Sequence, residues 1–209
     1  MKVWSFGDSW AAGHGLDASE KRFGDFIAER YGATHLNLGE NASSLGCILE
    51  TLTKTANKIR KNDLVIIIVP PDIRWYEVDG THFYSIFFGT KEYKKFIKGK
   101  SSYWFTYHHS LFIYAIINIC KHLGCKFILA HNYGILSFEN YFQTLIDTDC
   151  FLDVNKSLTT LLGGVDWCEN YSPKLSKDGP TVIDGDNFIK HGNHPNETGH
   201  RIIANLIIE

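Results

Sequence analysis

An α/β fold with a mostly parallel sheet is predicted for this chain on three observations. Asp63 is followed by Leu-Val-Ile-Ile-Ile-Val, closed by Pro70-Pro71. A continuous apolar run rich in β-branched residues and bounded by prolines reads as a strand buried on both faces, as in parallel sheets covered by helices. Just before it, Leu45, Ile48, Leu49, Leu52, Ala56 and Ile59 recur close to every 3.6 residues, the stripe of an amphipathic helix. Strand-like and helix-like segments alternate along the rest of the chain, the order that builds a sheet with helices on its faces.

Each element follows from local pattern. Residues 2–6 read as a short buried strand and Gly7 begins a turn. Phe23, Phe26, Ile27 and Tyr31 lie at helical spacing, with Gly32 as a natural stop. Residues 34–38 are a second strand, and residues 64–69 the third. Residues 72–107 lack clear periodicity. Residues 108–123 read as a helix with Leu111, Tyr114, Ala115, Asn118 and Ile119 near one face, stopped by Gly124. Residues 126–130 form a fourth central strand, residues 138–162 are helical in pieces, and residues 163–193 are a loop rich in glycine and aspartate. Pro195 is expected to open a last helix carrying Ile202, Ile203, Leu206 and Ile207. The four strands are expected to be parallel neighbours in one domain spanning residues 1–209, with an insert at about residues 72–107.

The 209 residues carry 21 Lys+Arg and 23 Asp+Glu, a net charge of −2. That balance gives no global attraction to nucleic acid or to anionic membranes, so neither is expected as a partner. No run approaches the roughly 18 apolar residues of a membrane span. Met1 leads straight into the first strand, leaving no room for a secretory leader, and the default expectation is a cytoplasmic protein. The five cysteines are scattered, without a CxxC pair, and read as reduced core residues.

Two segments carry the chemistry. Gly7-Asp8-Ser9-Trp10 stands at the carboxyl end of the first strand, where open α/β sheets bind ligands. His191-Gly192-Asn193-His194-Pro195 stands near the other end of the chain. A serine nucleophile needs a base, and the base can be remote in sequence. A metal is the competing use of His191, His194 and His200, with His14 near Ser9. However, Pro195 interrupts the run and no established zinc spacing is matched. No metal and no cofactor is therefore expected.

With Gly7-Asp8-Ser9 near the start, Asn37-Leu38-Gly39-Glu40-Asn41-Ala42-Ser43-Ser44 after the second strand and His194-Pro195 near the end, the sequence resembles the GDSL/SGNH hydrolases. The resemblance spans nearly the whole chain. It implies a three-layer α/β/α sandwich with a flavodoxin-like sheet and hydrolysis of esters. Ser9 would be the nucleophile and His194 the general base. The backbone N–H groups of Ser9 and Ala42 would face the oxyanion. Three departures stand out. Ala42 replaces a glycine. Val69-Pro70-Pro71-Asp72 replaces the third block, which removes its asparagine donor and leaves Arg74 as the nearest strong substitute. His191 occupies the position of the orienting aspartate. The group that orients His194 is left open between His191, Asp184, Asp186 and a backbone carbonyl.

Between residues 75 and 107 there are 12 of the chain's 29 aromatic residues, interleaved with Lys91, Lys94, Lys95, Lys98 and Lys100. The insert follows the third strand, so it emerges at the edge that carries the site. Trp75 and Tyr76, with Trp10, are expected to line a cleft for a small-molecule or carbohydrate ester, acetyl groups on a sugar among them. A satellite core and a homo-oligomer interface are the other uses of the insert. A second reading of the whole chain is a catalytically impaired member of the fold that acts as a binding or structural module.

Overall fold

The computed structural model of the chain describes residues 1–71, 75–79, 82–86, 91–133, 138, 140–164, 186–189 and 194–209. Four strands, β1 (Lys2–Gly7), β2 (Thr34–Gly39), β3 (Leu64–Val69) and β6 (Lys126–His131), form one parallel sheet in the order β2-β1-β3-β6. Each expected strand is present and extends by at most one residue beyond its expected bounds. Strands β4 (Trp75–Asp79) and β5 (His82–Ile86) pair antiparallel as a separate hairpin.

The run in β3 shows why the sheet needs cover on both sides. Val65, Ile67 and Val69 point into one core and Ile66 and Ile68 into another, all of them fully buried. The first core is closed by α3 (Leu45–Thr55) and α5 (Ser102–Leu123). The second is closed by α1 (Ser9–Ala12), α2 (Phe23–Tyr31) and α8 (Glu197–Ile208). The result is a three-layer α/β/α sandwich. Helix ends follow the local chemistry: Ser44 caps α3 by accepting from the Cys47 N–H, while Gly32 and Gly124 take left-handed conformations after α2 and α5.

The structure corrects several expectations. The insert is not patternless: it holds the hairpin, helix α4 (Lys91–Ile97), and the start of α5 at Ser102 rather than at 108. Ser101 caps α5 by accepting from the Trp104 N–H. The buried face of α5 is Ile113, Ile116, Ile117 and Cys120, whereas Leu111 and Asn118 are exposed. That helix is apolar nearly all round over residues 111–117, so hydrophobicity alone does not fix its phase. Helix α8 begins at Glu197 and is capped by Asn196, whose side chain accepts from the Gly199 N–H. Pro195 instead forms a bridge with Phe188. The short helices α6 (Asn140–Gln143) and α7 (Leu158–Leu161) match the expected pieces. Cys47, Cys120, Cys125 and Cys150 are free thiols buried in the fold. Among the described residues no helix is long and apolar enough to cross a membrane.

Candidate active site

The site is built at the carboxyl ends of β1, β2 and β6. Gly7 ends β1 with φ 151°, and a Cβ there would lie 2.8 Å from the Ile68 side chain and 2.9 Å from Ala11. Only glycine lets the chain turn this tightly against β3. Asp8 is fully buried and caps α1, its Oδ1 accepting from the Trp10 N–H at 3.1 Å. Ser9 is therefore the first residue of α1, presented from a turn that cannot shift without breaking that cap.

The histidine arrives from the far end of the chain. The Ile189 N–H donates to the His194 carbonyl at 2.8 Å, and the Asn196 N–H to the Asn187 carbonyl at 3.0 Å. The Asn196 side chain donates to the carbonyls of Asp186 and Phe188. These bonds clasp residues 186–189 against residues 194–196. The clasp rests on the core through Phe188, which meets the Trp10 ring edge-on at 6.3 Å. In that pose His194 Nε2 lies 2.8 Å from Ser9 Oγ. Two groups 185 positions apart thus stand within hydrogen-bond distance of each other.

The loop after β2 comes alongside. The Glu40 N–H donates to the Gly7 carbonyl at 3.0 Å, and a Cβ at Gly39 would lie 2.5 Å from the Ala12 nitrogen. Ala42 follows at φ 61°, the one left-handed non-glycine residue among those described. The resemblance puts a glycine at this position, and the backbone here takes the conformation that favours one.

The remaining expected site residues fall in three groups. His191, Arg74 and Asp184 lie outside the described residues, as does Asp72. Trp75 and Tyr76 open β4 in the hairpin. Asp186 and Trp10 are corrected. Asp186 is exposed, and among the described residues its carboxylate reaches neither His194 nor another partner. Its backbone carbonyl is what holds the clasp. Trp10 is 1% exposed and belongs to the core, where its indole N–H donates to the Tyr133 hydroxyl at 2.9 Å. An indole that size, one residue past the turn, is worth more beneath the site than at its surface.

Two neighbours were not assigned catalytic places by the sequence. His14 is exposed, and its ring lies 4.9 Å from that of His194. Asn132, just past β6, is fully buried and donates from Nδ2 to Asp8 Oδ2 at 2.7 Å. The only sequence signal for Asn132 is a polar residue at the carboxyl end of a strand, β6, which is expected from the sequence to be central and which ends the sheet order β2-β1-β3-β6. His200, by contrast, is structural. Its Nδ1 accepts from the Phe23 N–H at 3.3 Å, and its ring stacks on Phe23. Burial, reinforced by the Arg22 charge, pushes its pKa down to about 4. Among the described residues no group of three or more His, Cys, Asp and Glu is placed to hold a metal ion.

The low pKa of His200 makes stability pH-dependent. Unfolded, this group takes up a proton near its ordinary value of 6.5, while the folded form resists until about 4. Stability from this group is complete above pH 6.5 and is lost progressively as pH falls towards 4. The loss is about 3 kcal/mol. Thermal melts across that window, with His200→Asn as the comparison, should show a steeper acid decline in the native protein. Parallel declines would remove His200 as the cause.

No protein-family model matches the chain, and no curated protein matches it. Solved structures do. A protein from Desulfitobacterium hafniense DCB-2, described as a lipolytic protein of the G-D-S-L family, superposes with a TM-score of 0.54 at 13% identity, over 99% of this chain and 97% of that one. LAE5, described as an alpha/beta hydrolase enzyme from the metagenome of Lake Arreo in Spain, superposes with a TM-score of 0.51 at 14% identity, over 99% and 93%. At these identities the likeness is one of fold, and it extends over the whole chain.

Proposed function

We propose that the protein is a serine esterase of the GDSL/SGNH type, acting on an O-acyl ester. The observation that carries this reading is the 2.8 Å contact between His194 Nε2 and Ser9 Oγ at the carboxyl edge of a parallel sheet. The neutral imidazole takes the Ser9 proton as Oγ attacks the acyl carbon, and the carbonyl oxygen becomes an oxyanion. The backbone N–H groups of Ser9 and Ala42 are the proposed donors to it, with the Arg74 guanidinium supplying the donor that Pro70 and Pro71 cannot. The imidazolium then returns its proton to the leaving alcohol. Water, deprotonated by the same histidine, frees the acyl group in the second half-reaction. His191 or Asp184 would orient Nδ1 of His194.

The substrate side of the proposal is a polar ester, with acetylated carbohydrate as its concrete form. Lys91, Lys94 and Lys95 of α4 are exposed and spaced i, i+3, i+4, and Lys98, just past its end, is exposed as well, so the lysines gather on one side of this segment. None of the four pairs with a carboxylate among the described residues. Such a face suits an ester that also bears negative charge. A fluorophosphonate probe tests the central claim. Intact-mass analysis should show one adduct on the native protein and none on Ser9→Ala. A native protein that stays unlabelled would leave the fold as a binding module.

A further inference from the structure

Between the sheet and α2, apart from Ser9 and His194, lies a serine–histidine–carboxylate series. His35 Nε2 is 2.8 Å from Ser5 Oγ, and His35 Nδ1 is 2.6 Å from Asp25 Oδ1. Ser5 is fully buried and the His35 side chain is 6% exposed, so Ser5 cannot attack an external ester. The series has a different consequence, because it is part of a closed ring. Ser5 Oγ also donates to Asn37 Oδ1 at 3.2 Å, and Asn37 Nδ2 makes a long bond, 3.5 Å, to the Ala12 carbonyl. That carbonyl ends α1, the helix that begins at Ser9. Arg22 Nε donates to it at 2.8 Å, and the Arg22 backbone N–H donates to Asp25 Oδ2 at 2.9 Å, which closes the ring. Asn37 Oδ1 also accepts from the Gly39 N–H at 2.9 Å, where the chain leaves β2 for the Ala42 loop.

We propose that His35 is a positioning residue whose protonation completes this ring and ties the end of the nucleophile helix to the loop after β2. The catalytic consequence rests on the reading of Ser9 given above. The argument is a count of protons. Ser5 has one hydroxyl proton and two acceptors in reach, His35 Nε2 and Asn37 Oδ1. Nδ1 of His35 faces a carboxylate, so it carries a proton in either state. When His35 is neutral, Nε2 is bare and takes the Ser5 proton, and the link from Ser5 to Asn37 is lost. When His35 is charged, Nε2–H donates to Ser5 Oγ and the hydroxyl turns to Asn37. Donors then run in one direction, from His35 through Ser5 and Asn37 to the Ala12 carbonyl, and each bond polarises the next.

The surroundings suit such a change. Burial opposes the charge on Asp25, but hydrogen bonds from His35 and from the Arg22 backbone, with the charges of both residues, outweigh it and hold that carboxyl below its ordinary range. Asp25 is the charged group that α2 turns to His35, and the guanidinium of Arg22, the N-cap of α2, lies 3.8 Å from the same carboxylate. Lys2, Lys58 and Arg60 line the cleft along the open edge of β2 that His35 also borders. Helix α1 adds no charged side chain. The Gly24 backbone packs so closely on the ring that a Cβ there would collide with His35, so the imidazole has no room to swing away.

The test is an NMR titration of the intact protein from about pH 5 to 9, the range over which histidines exchange their proton. In the native protein the Gly39 amide should shift with the same midpoint as the His35 ring protons. In Ser5→Ala the Gly39 amide should no longer follow the His35 ring. A merely structural histidine would not lose this coupling when a hydroxyl is removed. In kinetics on a neutral acetyl ester, Ser5→Ala should remove one ionisation from the pH profile of kcat, with KM changed less than about twofold. A Gly39 amide that is indifferent to His35 in the native protein, or that still follows it in Ser5→Ala, overturns the proposal. A coupled Gly39 amide in a protein whose Ser9 resists the fluorophosphonate keeps the ring and discards the esterase reading.

Discussion

Ser9→Ala lowers kcat/KM on an activated acetyl ester by about 10⁴-fold or more, and His194→Ala does the same. The double variant falls no further, because the hydroxyl and the imidazole act on one proton. Stability responds much less. Among the described residues the only hydrogen bond of the Ser9 hydroxyl is to His194, and it is not part of the Asp8 cap or of the Trp10 packing that holds the turn. The thermal midpoint of Ser9→Ala should therefore stay within a few degrees of the native value. Hydrolysis that survives in Ser9→Ala at the native rate removes the nucleophile. Losses that multiply in the double variant would show the two residues acting independently.

The same site shows how far sequence pattern reaches. The run at residues 64–69 and the stripe through Leu45 and Leu52 depend on neighbours within one element, and both elements stand where the pattern puts them. That Ser9 and His194 come together is legible because each sits in a short, directional motif beside a strand end or a helix start. What pattern cannot carry is phase and partnership. Helix α5 is apolar on every side over residues 111–117, so only the sheet beneath it decides that Ile113 and Ile117 are buried and Leu111 is not. Trp10 shares its tetrapeptide with Ser9, which on pattern alone suggests a place in the cleft. Tyr133 and Phe188 are what draw it inward, and neither is near it in the chain. The clasp of residues 186–189 on residues 194–196 joins two backbone bonds, which leave no residue-type signature, to the Asn196 side chain, whose partners are again backbone carbonyls.

Asn132 is the residue whose replacement should disturb the fold most through one hydrogen bond. Its backbone is fixed on both sides: the Asn132 N–H donates to the Val69 carbonyl at 3.3 Å, and the Thr159 hydroxyl and N–H donate to the Asn132 carbonyl at 2.7 and 3.2 Å. The side chain therefore cannot retreat. It delivers Nδ2 to the buried carboxylate of Asp8. Asn132→Asp keeps the shape and exchanges that donor for a second carboxylate. Two buried anions at hydrogen-bond distance cannot both persist, so one of them binds a proton in the folded variant. Its folded pKa is then raised above the unfolded value near 3.9. By linkage the variant loses stability as pH climbs from the unfolded value to the raised folded one. At neutral pH the deficit should be about 3–5 kcal/mol, the usual result of removing a partner from a buried charge. For a chain of this size that is a fall in Tm of roughly 6–20 °C. Near pH 4 the shared proton restores a hydrogen bond, and the gap to the native protein should narrow to a small fraction of its neutral value. Asn132→Leu separates the alternatives: it also removes the donor, but it adds no titrating group, so its deficit should not close in acid in the same way. Equal pH dependence for the aspartate and leucine variants would mean that Asp8 is not the group Asn132 serves.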